Sequence, residues 1–198
     1  MLVNMKESEL KKSKLYSEEL GIDLSKKKPA ELFKWFIASI LFGARISETI
    51  AKNTYKTLEK YKLLKPQKIL KAGWNFLVNP IMRQGGYVRY DGKTSDILLK
   101  ISDMLIKKYN GNLNNLHDKA KDSKDLENKL MEFHGIGPTT VNVFLRELRP
   151  YWKKANPKPS PIAKKLAKKF KISLKKYNRK SITFARIEAG LIRARKSK

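Results

Sequence analysis

Two glycines, Gly135 and Gly137, followed by Pro138 form the segment whose residue types point most clearly to chemistry. Glycine accepts positive φ angles, and its missing Cβ leaves the backbone of a turn accessible. Pro138 favours the first turn of a helix, where its missing amide costs no hydrogen bond. Because unpaired amides and partial positive charge meet at a helix N-terminus, the segment predicts a site for a phosphate group, held without sequence preference.

The residues on both sides of this turn complete a predicted helix-hairpin-helix. The hairpin residues expected to contact a nucleic-acid backbone are Gly135, Ile136, Gly137, Thr139 and Thr140. An ordinary corner between two helices is the alternative, since the Gly-x-Gly spacing alone is common. The apolar residues that flank the turn, together with the charge of the chain, favour the phosphate site.

The net charge of the chain predicts a polyanionic partner. The 198 residues include 45 Lys and Arg against 18 Asp and Glu, which gives a formal net charge of +27. Self-repulsion of this size disfavours the compact state unless an anion is bound. Nucleic acid is the expected partner because cations that neutralise phosphates release condensed counterions. A salty or hot cell, or a lysine-rich proteome, is the alternative, and a membrane surface is less favoured.

The composition also excludes several kinds of site. The sequence contains no cysteine and two histidines. Missing thiols exclude disulfides, thiolate zinc sites, cysteine-ligated iron–sulfur clusters and thiol nucleophiles. We expect no metal and no other cofactor. No apolar run approaches the about 18 residues of a membrane span, and the first residues lack the apolar part of a secretory signal, so we expect a soluble, monomeric, cytoplasmic protein, associated with the nucleoid in a prokaryote.

Apolar residues recur at three- and four-residue steps along most of the chain, which predicts an all-α fold. Pro29 is expected to open the first long helix. Further helices are expected over 47–60, 66–71, 94–109, 123–133, 139–148, 162–170 and 184–195. Interruptions are expected at Gly73, Asn79-Pro80 and Gly85-Gly86. Of the larger side chains, Trp35 and Trp74 are expected in the core, and Trp152 and His117 at the surface.

The chain resembles the endonuclease III-like superfamily of helix-hairpin-helix DNA glycosylases, from about residue 29 to 195. Residues 29–41 resemble the first core helix, 90–97 the loop and helix that approach a lesion, 130–145 the hairpin, and 184–193 a C-terminal packing helix. The resemblance implies two all-α lobes, residues 30–133 and residues 1–29 with 134–198. It also implies that damaged double-stranded DNA lies across the cleft, with a base flipped out for base-excision repair.

Two positions depart from the family's pattern. Bifunctional members have a lysine two residues after the second hairpin glycine, where this chain has Thr139. Threonine cannot form a Schiff base with the sugar, so lysine-type lyase activity is not expected. Members usually have an aspartate where this chain has Ser160, and no Asp or Glu lies between residues 148 and 185. Asp91 is our replacement candidate for the catalytic acid, with a helix-cap or turn role as the alternative.

Four more residues are candidates for DNA contact. Arg45 and Arg89 fall, by resemblance, where members probe the duplex and fill the space of the flipped base. Tyr90 can stack on a base, and Lys164 belongs to a lysine-rich strip after the hairpin. Surface or structural roles are the alternatives for each. Three functions stay open: a glycosylase without lysine-type lyase activity, a non-catalytic lesion-sensing or architectural DNA-binding protein, and a general nucleic-acid-binding protein.

Overall fold

The computed structural model describes residues 6–195, and every regular element in this range is helical. In chain order the helices are α1 (Glu7–Lys11), α2 (Tyr16–Glu19), α3 (Pro29–Gly43), α4 (Glu48–Lys60), α5 (Pro66–Phe76), α6 (Asp91–Tyr109), α7 (Leu113–Lys119), α8 (Ser123–Met131), α9 (Pro138–Leu148), α10 (Pro161–Lys169) and α11 (Ile182–Ala194). A π-helical segment (Leu77–Met82) follows α5, and a short 3-10 helix (Leu174–Lys176) precedes α11. The predicted all-α class is confirmed. No helix in the described range is both long and apolar enough to cross a bilayer.

Local side chains explain where most helices begin. The residues whose side chains accept a hydrogen bond from the first turn of the helix that follows are Ser47, Asn112, Asp122, Ser160 and Ser181. Each such cap stabilises a helix by about 1 kcal/mol. The residues that open a helix as its first member are Pro29, Pro66, Pro138 and Pro161. Because proline needs no hydrogen bond there, these positions were predictable from the sequence.

The predicted interruptions lie close to the observed ones. Gly73 has φ 73° and separates two helical stretches within α5. Asn79-Pro80 is a cis peptide bond inside the π-helical segment, where only Asn79 leaves helical geometry. The chain therefore bends there without a loop. Helix α6 begins at Asp91, three residues earlier than expected, because Tyr90 has φ 66° and turns the backbone directly into the helix.

Helix α3 lies at the centre of the core. Nine of its fifteen residues are buried, and it packs against α4 on one side and α9 on the other. The approach to α9 is so close that a Cβ on Gly43 would collide with Thr140. Helices α5 and α6 pair with each other, while α1 and α10 both pack on α11. The large core therefore contains Phe144 of α9 together with the side chains of α3 to α8.

A second, smaller core joins the two ends of the described chain. It consists of Leu10, Leu166, Ala167, Ile187 and Leu191. Helices α1, α10 and α11 are therefore held together by apolar contacts between residues that are far apart in the sequence. The predicted division into residues 30–133 and residues 1–29 with 134–198 stays a prediction.

The tryptophans correct two expectations. Trp35 is fully buried as expected, whereas Trp74 is 45% exposed and donates its ring N–H to the carbonyl of Gly92 at 3.1 Å. Trp152, expected at the surface, is 1% exposed. Its ring stacks on His117 at 4.8 Å between centroids, so His117, expected at the surface, is partly buried there.

Candidate nucleic-acid interface

The hairpin between α8 and α9 requires glycine at position 135 but not at position 137. Gly135 has φ 78°, which side chains rarely adopt, and a Cβ there would lie 2.5 Å from Cδ1 of Ile97 on α6. Gly137 is different: its φ is −109°, and no atom lies within 4 Å of the position that a Cβ would occupy. The first glycine therefore shapes the turn, and the second leaves an opening above the start of α9.

Five backbone amides of the hairpin have no acceptor among residues 6–195. Inside the turn, the amide of Ile136 donates to the carbonyl of Phe133 at 3.0 Å, and the first bond of α9 runs from Val141 to Gly137 at 3.1 Å. No side chain caps α9. The amides without a described acceptor are those of His134, Gly135, Gly137, Thr139 and Thr140. These donors, at the positive end of a helix, can bind an anionic oxygen.

The side chains of the hairpin divide into exposed and buried ones. Thr139 is exposed, so both its amide and its hydroxyl can reach a ligand. Thr140 is buried and its side chain packs against Gly43, so only its amide is available. Ile136 is buried and its amide is used inside the turn. Within the hairpin, Ile136 is thus a packing residue that fixes the turn.

A cavity of about 1190 Å³ opens beside the hairpin. Its walls come from the beginning of α2, the end of α3, the beginning of α4, one face each of α8 and α9, the beginning of α10 with the preceding loop, and the C-terminal end of α11. Thr139 and Ser160, the two positions that the resemblance singled out, both line it. The hydroxyl of Ser160 accepts a hydrogen bond from the amide of Ala163 at 3.2 Å, so it also caps α10.

The charged side chains of the cavity lining are mostly basic. Its cationic side chains are Lys124, Arg146, Lys158, Lys164, Arg179 and Arg195, and its carboxylates are Glu48 and Glu127. Six cations against two anions, close to the unpaired amides of the hairpin, make this surface attractive to phosphates. Lys164 is the one cavity residue among the four further side chains predicted for DNA contact.

The two carboxylates of the cavity differ in their partners. Glu48 forms an ion pair with Lys52 at 2.7 Å. Glu127 makes no ion pair or hydrogen bond with any residue in the described range. Both are absent from the sequence-based candidates, because nothing in the local pattern brings α4 and α8 towards α9. The signal that the sequence does contain is Ser123 and Glu127 at a four-residue spacing, which places them on one face of a helix.

Asp91, the predicted replacement acid, does not line this cavity. It is the first residue of α6, and its Oδ1 accepts a hydrogen bond from the amide of Gly92 at 2.7 Å. That contact is the turn role weighed as the alternative. A catalytic role for Asp91 stays a prediction, and the structure brings Asp91 neither to Thr139 nor to Ser160.

Arg89 and Tyr90 lie in an exposed loop that is separate from the cavity lining. The guanidinium of Arg89 lies 5.0 Å from the centroid of the Tyr90 ring and donates to its hydroxyl at 3.2 Å. Tyr90 is 55% exposed, beside Val88 and Trp74, which are also exposed. Arg45 is exposed and has no hydrogen bond or ion pair within residues 6–195. These side chains remain available for a large ligand, as predicted for a DNA duplex.

Tyr16, Phe42 and Arg146 form one wall of the cavity, which the sequence did not predict. The rings of Tyr16 and Phe42 meet edge to face at 5.2 Å. The guanidinium of Arg146 lies 5.0 Å from the centroid of Tyr16. Burial raises the pKa of the Tyr16 hydroxyl above its usual value, so it stays a neutral phenol at physiological pH. Tyr16 is only 4% exposed, and the guanidinium of Arg193 also lies over its ring, at 4.1 Å. The wall therefore combines the half-buried ring of Phe42 with a buried phenol and a cation.

The described residues contain no group of three or more His, Asp or Glu side chains that could hold a metal ion. The expectation that the protein needs no metal and no cofactor stays a prediction.

Comparisons with known proteins found no family model, no curated protein and no solved structure that matches this chain.

Proposed function

We propose that this chain binds damaged double-stranded DNA in base-excision repair, as an atypical DNA glycosylase that flips a base into the cavity beside the hairpin. In this proposal the two-lobed architecture of the helix-hairpin-helix glycosylases places the duplex across the cleft. The chain removes the base by hydrolysis, without lysine-type lyase activity, because Thr139 has no amine to attack the sugar.

One observation carries the proposal: the hairpin has backbone amides without a described acceptor, and Thr139, which contributes one of them, also lines a cavity whose charged side chains are mostly basic. Amides at a helix N-terminus bind phosphate oxygens of any sequence, which suits an enzyme that searches for damage. The cavity next to them offers room for a base removed from the stack, which glycosylases require. A corner between two helices without a ligand would need neither the open position at Gly137 nor the surrounding cations.

The chemistry assigned to the cavity is hydrolysis of the glycosidic bond. Water attacks the anomeric carbon of the sugar, the bond to the base breaks, and the base leaves with a proton. Glu127 is the carboxylate we assign to orient the water or to stabilise the positive charge that develops on the sugar. It shares the cavity with Thr139 and Ser160, whereas Asp91 does not.

The second candidate is a non-catalytic protein that senses lesions or bends DNA. The observation in its favour is that Thr139 and Ser160 both line the cavity. These are the positions of the family's lysine and aspartate, and neither side chain here has an amine or a carboxylate. Such a protein would use the same amides and cations to bind DNA. It would bind abasic or distorted duplexes and release no base.

Substitution of Gly137 tests the binding half of the proposal. Gly137→Val meets no protein atom, so stability should change little, while its side chain blocks the approach of a phosphate. We expect the affinity for an abasic duplex to fall about tenfold or more, the size of one or two lost hydrogen bonds to a charged group. Fluorescence anisotropy at fixed salt measures this affinity. Asn53→Leu, which adds apolar bulk to an exposed part of α4, is the matched control.

Base release tests the catalytic half. A panel of duplexes with different damaged bases should yield a free base with at least one lesion, and Glu127→Gln should abolish this release while abasic DNA is still bound. Borohydride should trap no covalent adduct on an abasic duplex. Tight binding without release of any base would replace the glycosylase proposal with the non-catalytic one. An affinity that Gly137→Val leaves unchanged would contradict both.

A further inference from the structure

Arg146 has an unusual environment for a buried cation. It lines the cavity, yet the residue is only 4% exposed. Its Nε is buried without a hydrogen-bond partner, and no described residue accepts from any of its donors. A guanidinium offers five N–H donors in a planar fork. Of these donors, only the N–H of Nε is fully buried, and leaving it without a partner costs free energy. The donors of Nη1 and Nη2 also lack an acceptor in the described chain and are not fully buried, so a molecule in the cavity can supply acceptors to them.

The neighbouring acidic side chain does not fill this role. The two carboxylate oxygens of Glu147 accept from the amides of Tyr16 and Ser17, each at 3.0 Å. Glu147 is fully buried and attracts Arg146 electrostatically without a hydrogen bond between them. Glu147 therefore offsets part of the positive charge of Arg146, but its two oxygens accept their hydrogen bonds from amides at the beginning of α2. The donors of Arg146 are left for a ligand.

The surroundings of Arg146 favour a flat heterocycle over a bare phosphate. The aromatic rings of Tyr16 and Phe42 lie beside it, and Ala51, Met131 and Val143 add apolar surface to the same cavity. Aromatic side chains stack on bases, whereas a phosphate prefers polar, solvated surroundings. The basic residues Lys158 and Lys164 lie on the α10 side of the cavity, where a backbone could pass.

We propose that Arg146 recognises the flipped base, and that this base has a guanine-type edge with two adjacent acceptors, as O6 and N7 provide. The inference rests on the proposed function and names its substrate class. A guanidinium fork pairs with O6 and N7 in two parallel hydrogen bonds, whereas adenine places an amino donor beside its N7 acceptor. Adenine at this position would therefore leave one donor of Arg146 facing another donor.

The decisive experiment changes the ligand and leaves the protein intact. Four duplexes carry guanine, 7-deazaguanine, adenine or an abasic site at one position, always opposite adenine, so that every base is mispaired. The 7-deaza base lacks the N7 acceptor and keeps its shape. We expect the wild-type protein to bind the guanine duplex about fivefold to a hundredfold more tightly than the deaza and adenine duplexes, as a bidentate pair implies.

Variants then assign the preference to one side chain. Arg146→Lys keeps the positive charge and loses the planar fork, and Arg146→Gln loses both. Both variants should bind guanine no better than adenine. Because guanine and adenine duplexes are compared within each variant, a general loss of DNA affinity from the removed charge does not affect this ratio. Arg83→Gln, at an exposed residue outside the cavity, is the control and should keep the guanine preference.

The outcomes separate the inference from the proposed function. Equal wild-type affinity for guanine and 7-deazaguanine, with a retained preference for abasic over intact DNA, overturns the role of Arg146 alone. A guanine preference that survives in Arg146→Lys overturns it as well. Equal affinity for abasic and intact duplexes overturns the proposed function and the inference together.

Discussion

Arg146 and Arg149 lie one turn apart on α9 and its C-terminal end, and both are buried, but their surroundings are opposite. Arg149 is 1% exposed and is surrounded by acceptors: it forms an ion pair with Glu188, which is itself fully buried, and donates twice to the carbonyl of Pro157. Arg146 lines the cavity and has no hydrogen bond to any residue between 6 and 195.

The difference between the two regions indicates what each arginine is for. Arg149 joins the end of α9 to α11 and to the loop before α10, so its charge is satisfied within the chain. A buried pair of this kind depends on both members, because removal of one leaves the other uncompensated. Arg146 keeps its donors for a partner outside the chain. Burial of a charge therefore marks a structural role in one region and a binding role in the other.

The largest effect is expected where the structural pair is broken. Glu188→Ala leaves Arg149 buried without its carboxylate and should lower the free energy of unfolding by about 3–5 kcal/mol. Urea unfolding monitored by circular dichroism measures this change. The double variant Arg149→Met with Glu188→Leu should recover most of the loss, since apolar residues of similar volume can replace a buried pair.

A loss below about 1 kcal/mol for Glu188→Ala would contradict the assigned role of this pair, because it would mean that the chain tolerates Arg149 without compensation.

A smaller effect on stability is expected at the other arginine. Arg146→Met removes a desolvated charge that has no hydrogen bond, which is favourable. It also loses the contact between the guanidinium and the Tyr16 ring and the attraction to Glu147, which is unfavourable, although the carboxylate of Glu147 keeps its two amide hydrogen bonds. The two changes oppose each other, so the free energy of unfolding should stay within about 1 kcal/mol of the wild type. The same urea titration measures it. A loss as large as that of Glu188→Ala would show that Arg146 is needed for folding, and the contrast between the two regions would disappear.

The sequence predicts the helices well because their ends depend on local chemistry. Pro138 and the serine at position 160 act within one turn of their own helix, so their roles do not need the rest of the fold. Trp74 and Trp152 were assigned to the wrong environments for the opposite reason. Trp74 follows Gly73, whose positive φ redirects the chain, and the ring of Trp152 reaches α7, where its N–H donates to Asn114. Contacts over such separations leave no local pattern.

The residues of the candidate site also differ in whether the sequence alone could identify them. Gly135 and Gly137 are visible in the sequence because their residue type already implies an accessible turn. Arg146 could not be identified from the sequence, because α9 is buried around most of its circumference and the polar residues of this helix do not lie on one face. Glu127 is also hidden, because its place in the cavity depends on how α8 packs against α9.

His117 is a partly buried side chain whose charge depends on pH, and both of its ring nitrogens have partners when it is neutral. Its Nδ1 lies 3.1 Å from Oδ1 of Asp118, and its Nε2 accepts a hydrogen bond from the amide of Lys154 at 3.3 Å. Burial lowers the pKa of His117 below 6.5; the charge of Lys154 adds to this effect, and the hydrogen bond to Asp118 opposes it. Protonation would put a second donor on Nε2, facing the amide of Lys154.

The smallest predicted effect is therefore a pH dependence. The unfolded chain takes up the proton near pH 6.5, before the folded protein does, so stability is present above this pH and is lost as the pH falls below it. The slope for this one proton is at most about 1.4 kcal/mol per pH unit. His117→Phe, which keeps a ring against Trp152, should remove this component from urea titrations between pH 5 and about 7. His134→Gln, at the exposed second histidine, should keep it. Equal pH profiles for wild type and His117→Phe would mean that the histidine carries its proton as easily in the folded state as in the unfolded chain, despite the cation beside it.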